Sequence, residues 1–174
     1  MFDAEYNDRL PVVYFAHPIS GVESDIVIKY YNDIRDRLGF VCRVQTPMDV
    51  IARTDINERK ESFRDPAIQN DVITNRDHGF VKDCDVIFVN LSKCTRPSYG
   101  SIMEIAWAYS YHKYIIIVMD EKGLHDHGMI LGSHPVVYPH NHFEDAINHL
   151  IDYCKTSISD PVLRSLADGA KYTL

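Results

Sequence analysis

Thr95–Val118 reads TRPSYGSIMEIAWAYSYHKYIIIV. A Pro-Ser-x-Gly turn leads directly into an apolar stretch of helical character, and a β-branched run follows it. The expected helix spans about Tyr99 to Lys113, and the expected strand is YIIIVMD at 114–120. Among the residues of that helix, Glu104 is the single acid. A helix passing straight into a buried strand, with no polar linker, is the grammar of an α/β sheet.

The same grammar extends in both directions. PVVYFA at 11–16 is a short buried strand, closed by the turn sequence HPISG. Val27, Tyr31, Ile34 and Leu38 recur at helical spacing in VESDIVIKYYNDIRDRLG, with Ser20 and Glu23 as a capping box and Gly39 as the C-terminal stop. FVCRVQTP at 40–47 is a second strand, ended by proline. Residues 48–65 carry both signs of charge and read as a loop with a helical turn, a solvated face or a lid. PAIQNDVITNRDHGFVKDC reads as a helix entered at Pro66, and DVIFVNL at 85–91 as the third strand. After strand 114–120, EKGLHDHGMILGSH is expected to be a loop, PVVYP at 135–139 a fifth strand, and HFEDAINHLIDYCK a helix with the stripe Phe143, Ile147, Leu150 and Cys154.

Apolar strands alternating with helices specify a parallel sheet covered on both faces. With right-handed crossovers the simplest arrangement is a flavodoxin-like, doubly wound, five-stranded parallel sheet in the order 2-1-3-4-5. One domain accommodates all 174 residues. The tail beyond 155 packs on that domain or crosses to a partner subunit.

Composition narrows the function. A formal net charge of −7 argues against a nucleic acid polymer as partner, since that needs a basic face. No apolar run reaches the ~20 residues of a membrane-spanning helix. MFDAEYNDRL lacks the apolar core of a signal peptide. Cys42, Cys84, Cys94 and Cys154 show no CxxC spacing. The expectation is a cytoplasmic chain with reduced thiols. His125, His127, His134, His140 and His142 raise a metal hypothesis, but no carboxylate or cysteine completes a known ligand pattern, and exposed loop histidines are the favoured reading. Trp107, Tyr109, Tyr111 and Tyr114 suit either base stacking or packing, and their helical spacing favours packing.

In such a sheet, ligands bind beyond the carboxyl ends of the strands near the switch point. HPISG, SKCTRPSYGS and DEKGLHDHG all fall there, and the first two lead into helix N-termini that suit an anion. Glu104 lies within two turns of one such terminus. The dipole favours its ionised form, and apolar neighbours oppose that by desolvation. On this residue alone the plainer reading stands: a first-turn acid facing solvent. Asp77 adds weight to the other reading. It lies on a helix that ends beside the third strand, and two carboxylates about 5 Å apart are what a retaining glycosidase uses. Asp71, Asp83 and Asp85 compete with Asp77 for that role.

These segments resemble the nucleoside 2-deoxyribosyltransferase family, including its relatives that hydrolyse nucleoside 5′-monophosphates. The resemblance lies in YFAHPISG, D…CDVIFVNL and PSYGSIMEIAWAYSYHKYIIIV, and its most specific element is Gly100–Glu104. It implies a flavodoxin-like fold, an N-glycosidic substrate and no cofactor or metal. It implies that Glu104 is the nucleophile of a covalent glycosyl intermediate and that Asp77 assists departure of the base. Tyr14 and the loop carrying His17, Ile19, Ser20 and Gly21 fall where the family contacts the nucleoside. The resemblance further implies a homo-oligomer with a shared active site, for which Met129 is the candidate contribution from a neighbour; Tyr172 in the tail is another residue that approaches the site.

Ser98 bears on the substrate. Transferases acting on free nucleosides are similar here except for an acid at this place, whereas the monophosphate hydrolases carry a serine that helps hold phosphate. Ser98 therefore tilts the reading toward a nucleotide, although it also suits a plain helix N-cap. Two features depart from the hydrolases: Ser20 stands where they have arginine, and His17-Pro18 where the family more often has glycine. Two other readings remain at this point. One is an NAD- or ADP-ribose-type glycohydrolase on the same fold, and the other is a nucleotide-binding protein without turnover.

Overall fold

The computed structural model describes residues 10–19, 24–49 and 70–158, with positions 164 and 168. Strand β1 is Val12–Ala16, helix α1 is Ser24–Leu38 and strand β2 is Arg43–Gln45. Helix α2 (Asn70–Asp83) precedes β3 (Val86–Asn90), and α3 (Tyr99–Ser110) precedes β4 (Tyr114–Met119). A one-turn helix α4 (Gly128–Leu131), strand β5 (Val136–Pro139), a 3₁₀ turn at His140–His142 and helix α5 (Phe143–Ser157) complete the order. The five strands form one parallel sheet in the order β2-β1-β3-β4-β5. Both the class and the strand order agree with the sequence expectation.

Side-chain alternation sorts the strand residues into two cores. Val13, Phe15, Val86, Phe88, Ile116 and Val118 face α1 and α5. Tyr14, Ile87, Val89, Ile115 and Ile117 face the other way, with Val81 of α2 and Ile105 and Ala108 of α3. Every residue of β1 and β3 is buried, which is why both strands are apolar apart from Asn90 at the carboxyl end of β3. The predicted stripe of α5 is buried at Ile147, Leu150 and Cys154, while Phe143 is only partly covered.

Several boundaries differ from expectation, each for a local reason. β2 has three residues rather than eight. Val41 and Cys42 donate back to the Leu38 carbonyl in a turn, and Pro47 carries no N–H to extend the ladder. Gly39 serves close approach: a Cβ there would sit 2.9 Å from the Arg35 carbonyl oxygen. α3 stops at Ser110, short of Lys113. His112 takes the left-handed conformation (φ 55°), and Lys113 N–H bonds the Ala108 carbonyl at 2.9 Å, a Schellman stop without glycine. α4 lies inside the stretch expected to be loop. The capping box at Ser20 and Glu23, the charged segment 53–65, Pro66 and Tyr172 lie outside the described residues.

The carboxyl edge of the sheet is tied together by Asp120, just after β4. Its Oδ2 accepts from the backbone N–H of Lys93 in the loop after β3 at 2.8 Å, and its Oδ1 meets His140 Nδ1, after β5, at 3.1 Å. Lys93 is left-handed (φ 57°), so this bond holds a strained turn on the path from β3 to α3. No helix among the described residues is long and apolar enough to cross a membrane.

Candidate active site

β1 and β3 are neighbours, with Ala16 opposite Val89 at their carboxyl ends. The chain leaves β1 for β2 on one side and reaches β3 on the other, so this is the switch point. A cavity of about 380 Å³ opens there, within the range of small-molecule sites. His17 and Ile19 line it from the loop after β1, Arg76 and Asp77 from α2, and Ser98, Gly100 and Glu104 from the start of α3.

Glu104 is 7% exposed, contrary to the solvent-facing expectation. The cause is its place in the buried stripe Ser101, Glu104, Ile105, Ala108, which α3 turns toward the sheet. Tyr14 comes up from β1 on the same face, fully buried, and its hydroxyl donates to Glu104 Oε1 at 2.7 Å. Burial pushes the Glu104 carboxyl up to about 7. The Tyr14 hydrogen bond pulls it down, the Asp77 charge pushes it up and the Arg76 charge pulls it down. Burial above all, and then the Glu104 charge, raises the Tyr14 phenol well above its ordinary value, so it stays a donor.

Asp77 occupies the core-facing side of α2, in helical register with Ile73, Phe80 and Val81, and is 8% exposed. Arg76 donates to its Oδ1 from Nε at 2.8 Å and from Nη2 at 2.7 Å. The competing acids lie elsewhere. Asp71 and Asp83 are exposed, and Asp85 Oδ2 accepts from Val12 N–H at 2.8 Å, a tie between β1 and the start of β3.

Ser98 is at the N-cap of α3 but makes no side-chain capping bond. Its hydroxyl pairs with the Ser101 hydroxyl at 3.0 Å, and its backbone N–H donates to His125 Nε2 at 3.0 Å. His125 is 3% exposed, and burial lowers its pKa, in keeping with a neutral ring that accepts at Nε2. The first hydrogen bond within α3 is donated by Ile102 to the Ser98 carbonyl, which leaves the N–H groups of Tyr99, Gly100 and Ser101 without helical partners at the cavity wall. His17 donates from Nδ1 to the Pro18 carbonyl at 2.8 Å and packs on Tyr30; burial lowers its pKa, favouring the neutral ring.

Of the residues singled out in the sequence, Glu104, Asp77, His17, Ile19, Ser98 and Gly100 line one cavity, and Tyr14 lies beneath it. Ser20 and Gly21 fall outside the described residues. Met129 is on α4, 83% exposed, and is not among the lining residues of this chain. Three of the four aromatic residues pack, since Trp107 and Tyr111 meet His78 and Tyr114 stacks on Tyr153, whereas Tyr109 is half exposed beside His134. Among the described residues no group of three His, Cys, Asp or Glu side chains converges as a metal site would. Arg76 and His125 are functional candidates that sequence reasoning missed. Arg76 sits in a charged stretch, NRD, that reads as a solvated face, and His125 reads as one loop histidine among several.

The 2-desoxiribosyltransferase from Leishmania mexicana superposes with a TM-score of 0.57 at 21% identity, covering 82% of this chain and 98% of the other. The CMP N-glycosidase of Clostridium botulinum gives 0.48 at 21% identity, covering 81% and 98%. The first likeness establishes a shared fold. No curated protein is significantly similar in sequence. The signature of the Nucleoside 2-deoxyribosyltransferase family, however, matches residues 13–155, most of the chain, and on that ground the protein belongs to the nucleoside 2-deoxyribosyltransferase family.

Proposed function

We propose that this protein cleaves the N-glycosidic bond of a (2′-deoxy)nucleoside or its 5′-monophosphate through a covalent glycosyl–Glu104 intermediate, the sugar then passing to another base or to water. The observation that carries the reading is the buried Glu104 at the wall of a nucleoside-sized cavity, held by the Tyr14 hydroxyl and sharing that cavity with Asp77. A carboxylate with few competing waters and one oxygen fixed by a donor is poised to attack an electrophilic sugar carbon. In the proposed first step an oxygen of Glu104 bonds to C1′ as the C1′–N bond breaks, and Asp77 assists the base. In the second step the acceptor displaces Glu104 from the same carbon, which restores the original configuration.

The 5′-monophosphate arm draws support from the entrance to α3. The Ser98 hydroxyl is not used as a cap, three backbone N–H groups lack helical partners, and Arg96 lines the same cavity. A dipole end of this kind favours an anion. Assembly of the site from two subunits draws support from the exposed apolar residues Tyr99, Met103, Leu124 and Met129.

The test is chromatography of reactions with deoxynucleosides and their 5′-monophosphates, with and without an acceptor base, alongside NAD. Intact-protein mass spectrometry with a 2′-fluoro sugar analogue should show a glycosyl adduct that Glu104→Ala lacks. Base release by Glu104→Ala at the wild-type rate would remove the mechanism. Nicotinamide release from NAD as the main reaction would replace the substrate.

A further inference from the structure

Asp77 shares its pairing with a residue that has more to give. The Arg76 side chain is 10% exposed, and Nε and Nη2 are both spent on Asp77 Oδ1. Nη1 is also buried, yet it has no hydrogen-bond partner among the described residues. Arg76 lines the cavity together with Asp77 and Glu104. A buried guanidinium N–H left unmade is costly, and such atoms call for an explanation. Here the site itself offers one. The positive charge of Arg76 is felt at Glu104, which puts it near the reacting end.

Resting on the glycosidic reading above, we propose that Arg76 is a catalytic residue whose Nη1–H takes up the negative charge developing on the departing nucleobase. As Glu104 bonds to C1′, the electron pair of the C1′–N bond goes to the base nitrogen, and the base leaves as an anion with charge spread over its ring nitrogens and carbonyl oxygens. The guanidinium keeps its proton throughout and donates a hydrogen bond to that anion. The base takes its proton afterwards, from the water that attacks C1′ in hydrolysis or from the N–H of the incoming base in transfer. Asp77 holds the guanidinium at the cavity wall, and a small turn about that pairing brings the covered Nη1 to the base as charge appears. The competing anion is a 5′-phosphate, whose proposed place is the start of α3.

The experiment uses the intact chain with Arg76→Met and Arg76→Lys, each alone and with Asp77→Asn. Single-turnover base release is measured on deoxynucleosides and their monophosphates whose bases differ in N–H acidity. Arg76→Met is expected to slow release by roughly 10²–10³ for poorly acidic bases and by about tenfold or less for acidic ones, with KM little changed. Arg76→Lys should fall between, and the dependence on the base should persist in the Asp77→Asn background. Equal loss for every base would overturn the proposal. So would a loss confined to KM for monophosphates, or no added effect once Asp77 is replaced, since Arg76 would then act only through that residue. Thermal melts by circular dichroism check folding; if Arg76→Met does not fold, Arg76→Lys decides on the same criteria. Wild-type protein that releases no base takes the glycosidic reading down as well, whereas wild-type release with a flat base profile in the variants removes only the role of Arg76.

Discussion

Glu104 carries a pKa raised from 4.5 to about 7, chiefly by burial, and this fixes the sign of two pH effects. In the proposed mechanism the ionised fraction of Glu104 grows as pH rises, so kcat/KM for base release should climb through about 7 and level off above it. Stability runs the other way. Between about 4.5 and 7 the folded chain holds a proton that the unfolded chain has lost, so this carboxyl subtracts stability as pH rises across that window. Glu104→Gln should therefore abolish base release while stabilising the fold at pH 8 by about 1–3 kcal/mol, read from urea unfolding. A destabilised variant would mean that Glu104 is not buried as described. Tyr14→Phe removes the donor that favours the ionised form. Its acid limb should move to higher pH, with a roughly tenfold or greater loss at pH 7. An unmoved limb would cut Tyr14 out of the tuning. Spacing alone leaves Glu104 a solvent-facing first-turn acid and Asp77 one of four competing acids; the family resemblance singles both out. Their burial has a register signal, since Glu104 falls in line with Ser101, Ile105 and Ala108, and Asp77 with Ile73, Phe80 and Val81. Arg76 gave none, since its burial follows from pairing with Asp77, which sequence does not show.

At the scale of elements, α3 does the most for the site, and its first turn is open to change. A Cβ at Gly100 meets nothing within 4 Å, although the residue lines the cavity. Gly100→Ala should leave stability unchanged or raise it by up to about 1 kcal/mol through helix propensity, while raising KM by narrowing the ligand's approach. Unchanged KM would show that substrate does not approach this turn. The strands were readable as short β-branched runs closed by turn residues, and the helices by their 3.6-residue period. The weak points were the ends. β2 was overdrawn because an apolar run does not reveal the turn at Val41 and Cys42. α3 was overdrawn because its stop uses a left-handed histidine in place of glycine. α4 is too short to show periodicity at all.

At the scale of the molecule, the strand order followed from alternation and chain handedness, and with it the position of the cavity. What sequence could not convey is how a single chain's surface is completed. Met129 is 83% exposed beside the exposed Leu124 and Leu131, so a neighbouring copy is where its contribution would be made. If the site is shared, mixing Glu104→Gln chains with Met129→Asp chains should restore part of the activity that neither has alone. A mixture as inactive as its components would confine the site to one subunit. β1 carries a different implication. VVYFA is apolar on both of its faces, so hydrophobicity scarcely distinguishes its alignment from one displaced by a single residue. Such a displacement would send Tyr14 to the α1 and α5 side and bring an aliphatic or phenyl group to Glu104. The phenol–carboxyl contact and the Asp85–Val12 tie are thus proofreaders of strand placement, and turnover becomes a gauge of whether β1 has seated correctly.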